Sequence, residues 1–201
     1  MIPWITKIVT KFIIWDLDGT LYQNKILGQK IKDHFLTSLQ KTLPNVTEEE
    51  FDQLTKKYSS WSAVLGHFTN RSEFDVLDDF DKAVGRSKFL DYDPKIVEFI
   101  EVKLSSYRHL ILTNSGIDEA KKCLHKIGFN PKTFEKIFAR DTIKMLKPDP
   151  NIYPIIKQYT QCPNFRHLFI GDSLAHDVIP PKKLGFNALP IWEVIDLTKS
   201  N

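Results

Sequence analysis

The sequence predicts an α/β fold: a doubly wound parallel sheet that carries a small α-helical insert. Three observations lead there. Short apolar runs rich in β-formers recur along the chain, and several end abruptly in polar clusters. Segments with helical periodicity separate these runs, which is how a parallel sheet is connected. Residues 22–92 break the alternation and carry helical signals only.

Phe12-Ile13-Ile14-Trp15 is the first strand, continuous in apolar character as a strand buried on both faces must be, with Trp15 in the core. It runs into Asp16-Leu17-Asp18-Gly19-Thr20. In the insert, Ile31, Phe35, Leu39 and Leu43 recur at near-helical spacing and predict a helix over 26–43, stopped by Pro44. Thr47 followed by Glu50 has capping-box spacing and opens a second helix through Tyr58. A third is expected over 74–84, ended by Gly85, with Trp61 and Phe68 packing within the insert.

The alternation then resumes. Asp93 as N-cap and Pro94 at the first helical position predict a helix over 94–107, with Ile96, Val97, Ile100 and Leu104 inward. His109-Leu110-Ile111-Leu112 is a strand ending in Thr113-Asn114-Ser115-Gly116. A helix follows over 118–127, stopped at Gly128, with Lys121, Lys122 and Lys126 on its solvated face. Residues 137–139 and 188–191 read as shorter strands, and His167-Leu168-Phe169-Ile170 as a full one ending in Gly171-Asp172-Ser173. Helices are expected over 150–159 and 181–184.

A chain of 201 residues can bury a sizeable core without disulfides. Its two cysteines, Cys123 and Cys162, form no CxxC pair and read as free thiols of a reducing compartment. The net charge of +3 lacks the dense basic footprint of a nucleic-acid binder, and the acidic runs Glu48–Glu50 and Asp78–Asp81 argue further against a nucleic-acid polymer. The stretch from Met1 to Lys11 is too short and interrupted for a signal peptide or membrane span. The expected compartment is the cytoplasm. The oligomeric state is left open.

In an open parallel sheet, ligands bind at the carboxyl ends of strands. Asp16, Asp18, Thr113, Asp172 and Asp177 are therefore expected to converge. Converging carboxylates need a cation, and hard oxygen donors without His or Cys suit Mg²⁺ rather than zinc. Lys147, in Met145-Leu146-Lys147-Pro148-Asp149-Pro150, supplies a second positive charge from a backbone that two prolines restrict. The cation and the lysine together would receive a phosphate, with Thr113 and Asn114 donating to its oxygens. Of the pair Asp16 and Asp18, one carboxylate can attack phosphorus while the other moves protons, provided that their environments differ.

Read alone, Asp16 and Asp18 make an Asx turn, Thr113 a strand end, Lys147 an exposed lysine and Asp177 a helix N-cap. As an ordered set they resemble the haloacid dehalogenase superfamily of phosphohydrolases. Asp16-Leu17-Asp18-Gly19-Thr20 looks like the family's DxDGT motif, Thr113 like its second motif and Lys147 in KPDP like its third. Gly171-Asp172-Ser173-Leu174-Ala175-His176-Asp177 resembles the fourth, GDSxxxD. The resemblance covers residues 11 to 192. It implies a Rossmann-like core (residues 1–21 and 93–201) and an α-helical cap (22–92) that closes over the substrate; KPDP followed by Tyr153 is typical of the helical-cap subfamily. It also implies Asp16 as nucleophile and metal ligand, and Asp18 as general acid and base with its carbonyl on the metal. Thr113 and Lys147 would hold phosphate, with Asn114 beside them, and Asp172 would ligate Mg²⁺. Ser173 and Asp177 would support the site.

The implied reaction is hydrolysis of a small phosphomonoester (a nucleotide, sugar phosphate or phosphoglycolate type of substrate) through an aspartyl phosphate. A mutase-type phosphoryl transfer and a non-catalytic binding protein on the same fold are the alternatives. A dehalogenase leaves Asp18 and Asp172 without a task. His34, His67, His125 and His176 have no partner spacing that suggests a triad or metal site. Pro180-Pro181 departs from the pattern, where a smooth helix start is expected. Specificity is expected to reside in the insert, with Tyr58, Trp61 and Phe68 offering aromatic surface.

Overall fold

The computed structural model describes residues 10–195. It divides into two compact units: Asn24–Phe89, and the flanking segments up to Gln23 and from Leu90 onward.

The flanking unit is built on a five-stranded sheet of order β3-β2-β1-β4-β5. Its strands are β1 (Phe12–Trp15), β2 (Arg108–Thr113), β3 (Phe134–Ala139), β4 (His167–Gly171) and β5 (Asn187–Pro190). Each neighbouring pair is parallel. β1 is central: Trp15 pairs with Ile111 on one side and Ile170 on the other. All four β1 residues are buried, as their unbroken apolar run requires. After β1 the chain moves toward β2, whereas after β4 it moves toward β5. The carboxyl ends of β1 and β4 therefore flank the topological switch point, where a crevice opens.

The expected doubly wound α/β architecture is thus the one observed. β3 begins at Phe134 rather than Ile137, because it is an edge strand. Its exposed Glu135 and Lys136 erase the apolar signal over its first half. Phe12, Ile14, Leu110, Leu112, Phe138, Tyr153, Ile156 and Phe169 form a core cluster. The helices of this unit numbered after the insert are α5 (Pro94–Glu98), α6 (Ile117–Ile127), α7 (Arg140–Ile143), α8 (Ile152–Thr160), α9 (Ile179–Lys183) and α10 (Ile191–Val194).

Two of the expected helices in this unit take a different form for local reasons. The predicted 94–107 helix is α only to Glu98, then a π-type turn over Phe99–Lys103, closed by Leu104 N–H on the Phe99 carbonyl at 3.1 Å. Ile96, Ile100 and Leu104 recur every four residues and so share one face of the helix. The wider turn keeps all three buried. The expected 181–184 helix starts earlier, as a π-type turn over Leu174–Val178 that leads into α9. Pro180 and Pro181 lack N–H groups, so the carbonyls of His176 and Asp177 have no α-type donor, and Ile179 N–H reaches back to Leu174 instead.

The unit Asn24–Phe89 is helical: α1 (Lys25–Gln40), α2 (Glu48–Tyr58), α3 (Trp61–Thr69) and α4 (Glu73–Val84). Each helix opens on a side-chain cap, from Asn24, Thr47, Ser60 and Ser72, that accepts a first-turn N–H. The Thr47–Glu50 capping box forms as its spacing predicts. Phe35, Leu39, Phe51, Val64, Leu65, Val76 and Phe80 make its core, with Tyr58, Trp61 and Phe68 packed against them. Asn24 Nδ2 donates to the Phe89 carbonyl at 2.8 Å and ties the two ends of the unit together. α1 ends three residues before the predicted Leu43, in a turn where the N–H groups of Thr42 and Leu43 both reach the Leu39 carbonyl. Pro44 disfavours helical geometry for the residue before it.

Candidate active site

β1 delivers Asp16 to the switch point. Asp16 N–H donates to the Ile170 carbonyl at 2.8 Å, which extends the β1–β4 ladder by one residue and fixes the Cα from which the carboxylate projects. Its Oδ1 lies 2.5 Å from Lys147 Nζ, and its Oδ2 accepts from Thr20 Oγ1 at 2.9 Å. Lys147 Nζ also reaches Asp177 Oδ1 at 2.6 Å. Asp16, Lys147 and Asp177 are all buried. Asp172 is exposed at the end of β4. One carboxylate oxygen each from Asp16, Asp172 and Asp177 lies within 4.8 Å of the others.

Two glycines allow this crowding. A side chain at Gly19, whose φ is +80°, would run into the Asp172 carboxylate, and one at Gly171 would run into Asp177. Asp177 is held in turn by Ser173, whose N–H donates to Oδ2 at 3.0 Å.

The charges do not balance. Burial alone would pull Lys147 down, but Asp16 and Asp177 outweigh it and hold the ammonium firmly protonated. Asp16 is displaced upward, first by burial and then by the negative charges of Asp177, Asp172 and Asp18, against the pull of Lys147. The two shifts look opposed for one ion pair. They agree once the cluster is counted: one ammonium faces several carboxylates. Although the residue as a whole is exposed, the Asp172 carboxyl loses water to the groups crowded around it and is raised to about 6, by that desolvation first and Asp177 second. Hard oxygen donors with unmet negative charge fit a small divalent cation.

Asp18 stands in different surroundings. It is partly buried at the turn after β1 and lies outside the three-carboxylate group. Ser115 Oγ donates to its Oδ2 at 2.5 Å, Tyr22 OH donates to its Oδ1, and Thr113 Oγ1 is 3.5 Å from Oδ2. Asp16 and Asp18, two apart in sequence, thus sit in an ionic and a hydroxyl environment respectively.

Asn114 has a task that the sequence did not suggest. Its Oδ1 accepts from Lys147 N–H at 2.7 Å and its Nδ2 donates to the Lys147 carbonyl at 3.1 Å, so the side chain clamps the lysine's backbone. Ser173 Oγ caps the turn that follows, accepting from His176 N–H at 3.3 Å. Four neighbours escaped sequence reasoning: Thr20, Tyr22, Ser115 and Arg140. Thr20 and Ser115 stand inside the quoted motifs, so their position was the available signal. Arg140, buried, donates to the Asn114 carbonyl at 3.0 Å and gave no sequence signal.

Solved structures share this architecture. CbbY from Rhodobacter sphaeroides in complex with phosphate is 19% identical with a TM-score of 0.64, over 90% of this chain and 85% of that one. The HAD-hydrolase YfnB from Bacillus subtilis bound to magnesium is 16% identical with a TM-score of 0.56, over 89% and 85%. L-2-haloacid dehalogenase from Xanthobacter autotrophicus is 17% identical with a TM-score of 0.56, over 89% and 76%. At these identities the likeness shows the fold alone. No curated protein matches the sequence significantly. The family model of haloacid dehalogenase-like hydrolases matches residues 13–191, nearly all of the described chain, and the protein belongs to that family.

Proposed function

We propose that this chain is a Mg²⁺-dependent phosphatase that hydrolyses a small phosphorylated metabolite through an aspartyl phosphate on Asp16. One observation carries the reading. Asp16 is ion-paired to Lys147 within an acidic cluster, whereas Asp18 is held by hydroxyls outside it. A nucleophile needs the first setting and a proton carrier the second. A departing halide needs no proton, so a dehalogenase would leave Asp18 without its acid role, and dehalogenation is the poorer fit.

Asp16 attacks phosphorus in line with the leaving oxygen, and Asp18 gives that oxygen its proton. Asp18 then takes a proton from water, which cleaves the aspartyl phosphate and releases inorganic phosphate. Lys147 neutralises charge on the phosphoryl oxygens in both steps. The Thr113 hydroxyl and the amides beside it donate to the same oxygens. Asp177 and Asn114 hold the lysine, one by its ammonium and the other by its backbone. Asp16, Asp172 and the Asp18 carbonyl are the groups that would hold Mg²⁺, which when bound supplies positive charge to the phosphoryl group. The helical unit Asn24–Phe89 is read as the cap, and the partner as a small-molecule ester rather than a nucleic-acid polymer or a membrane. Among the described residues no helix is long and apolar enough to cross a membrane.

The test is a panel of phosphomonoesters, run beside 2-haloacids, with Mg²⁺ and with excess chelator. Phosphate release that needs Mg²⁺ supports the proposal. Halide release, or phosphate release at full rate in chelator, contradicts it.

A further inference from the structure

Both carboxylate oxygens of Asp18 are engaged by hydroxyl donors from different parts of the chain. Tyr22 OH approaches Oδ1 from the same loop, and Ser115 Oγ approaches Oδ2 at 2.5 Å from the loop after β2. A carboxyl gripped at one oxygen can still swing about its own bonds, whereas one gripped at both has a fixed plane. The donors are themselves fixed. Tyr22 forms a backbone bridge with Asp18. Ser115 is 2% exposed; its N–H donates to Thr113 Oγ1 at 3.0 Å and its carbonyl accepts from Arg140 N–H at 3.3 Å.

The chemistry of the donors matters as much as their number. A hydroxyl both donates and accepts, so it bonds a carboxylate in one rotamer and a carboxylic acid in another. An ammonium or amide N–H lacks that freedom and would favour the ionised form alone. The hydroxyls of Tyr22 and Ser115 thus suit the Asp18 carboxyl with no heavy atom having to move.

Building on the phosphatase reading, we infer that Tyr22 and Ser115 are positioning residues for proton transfer by Asp18: their hydroxyls, one on each carboxylate oxygen, hold the carboxyl plane toward the leaving oxygen. Neither side chain touches the reacting phosphoryl group in this account. Their effect passes through Asp18 and is felt where the leaving group needs a proton.

That dependence supplies the test. An alkyl phosphate expels an alkoxide that must be protonated, whereas p-nitrophenyl phosphate expels a stable phenolate. kcat/KM for each ester is measured in the wild type, Tyr22→Phe, Ser115→Ala and Ser115→Thr, and it reports the step that transfers phosphorus to Asp16. The ratio of alkyl to aryl kcat/KM should fall about tenfold in Tyr22→Phe and in Ser115→Ala, the size expected for losing a hydrogen bond to a charged group. Ser115→Thr, which keeps the hydroxyl, should retain the ratio. Equal losses on both esters, or none, in Tyr22→Phe and Ser115→Ala would overturn the inference while leaving the phosphatase reading intact. A wild type that hydrolyses neither ester overturns that reading and the inference with it. If Tyr22→Phe does not fold, the two Ser115 variants carry the same comparison.

Discussion

Asp16 can be placed from the sequence because a four-residue apolar strand has nowhere to put a carboxylate except at its end. The same logic places Thr113 and Asp172 at the ends of β2 and β4. What the residues do to one another was less legible. Asn114 in its clamp and Ser115 on Asp18 are contacts between loops that only the folded sheet brings together. In the proposed reaction Asp16 is the nucleophile, and Asp16→Asn keeps its volume without its carboxylate. It is expected to lower turnover by roughly three orders of magnitude or more with an unchanged circular dichroism spectrum. A variant that kept more than a few per cent of the rate, with deamidation excluded by mass, would remove Asp16 from the mechanism. Lys147→Ala removes charge that every phosphoryl group shares, so all esters should slow together by roughly 10²- to 10³-fold. A substrate panel in which only some esters slowed would assign the lysine to specificity instead.

At the scale of elements, legibility followed periodicity and caps. The capping box at Thr47 and the stop at Gly85 were readable: α2 begins and α4 ends where those signals lie. α3 did not stand out although Ser60 caps it and Trp61, Val64, Leu65 and Phe68 have helical spacing, because nine residues repeat the pattern over only about two and a half turns and Gly66 interrupts it. The π-type turns were not readable, since they answer to burial and missing donors rather than to propensity. Thr47→Ala should cost about 1 kcal/mol in urea unfolding, whereas Phe51→Ala, which empties a fully buried position, should cost about 3–5 kcal/mol. Equal costs would contradict the packing described for the helical unit.

β2 carries a pH-dependent element of its own. The Trp15 indole N–H donates to His109 Nδ1 at 3.1 Å, so the ring proton sits on Nε2, 3.1 Å from the Leu104 carbonyl. Burial lowers His109 below the ordinary imidazole value of 6.5, with the Leu104 bond opposing it. A depressed folded value means that the unfolded chain binds the proton first as pH falls. The stability that His109 contributes is therefore whole above about pH 6.5 and is lost as pH falls through the folded value. The destabilisation by His109→Gln should accordingly be largest near pH 8 and shrink toward pH 5. Destabilisation that grew on acidification would reverse the assigned tautomer and charge.

For the whole molecule, the order β3-β2-β1-β4-β5 gathers the motif residues, and the alternation of strand and helix was enough to predict it in class. The carboxylate cluster makes the site electrostatically costly until a cation joins it. Mg²⁺ should therefore raise the melting temperature of the wild type, and should do so much less in Asp172→Asn. An equal rise in both would detach the metal from that carboxylate. The central claim is that phosphate passes through a covalent bond to Asp16, and acid quenching during turnover of p-nitrophenyl phosphate tests it most directly. The good leaving group speeds formation of the intermediate relative to its breakdown. Mass analysis of the peptide that contains Asp16 should then find one added phosphoryl group when Mg²⁺ is present, and none with chelator or in Asp16→Asn. Turnover with the phosphoryl group on another residue, or an Asp16 peptide that stays unmodified throughout turnover, would contradict the account.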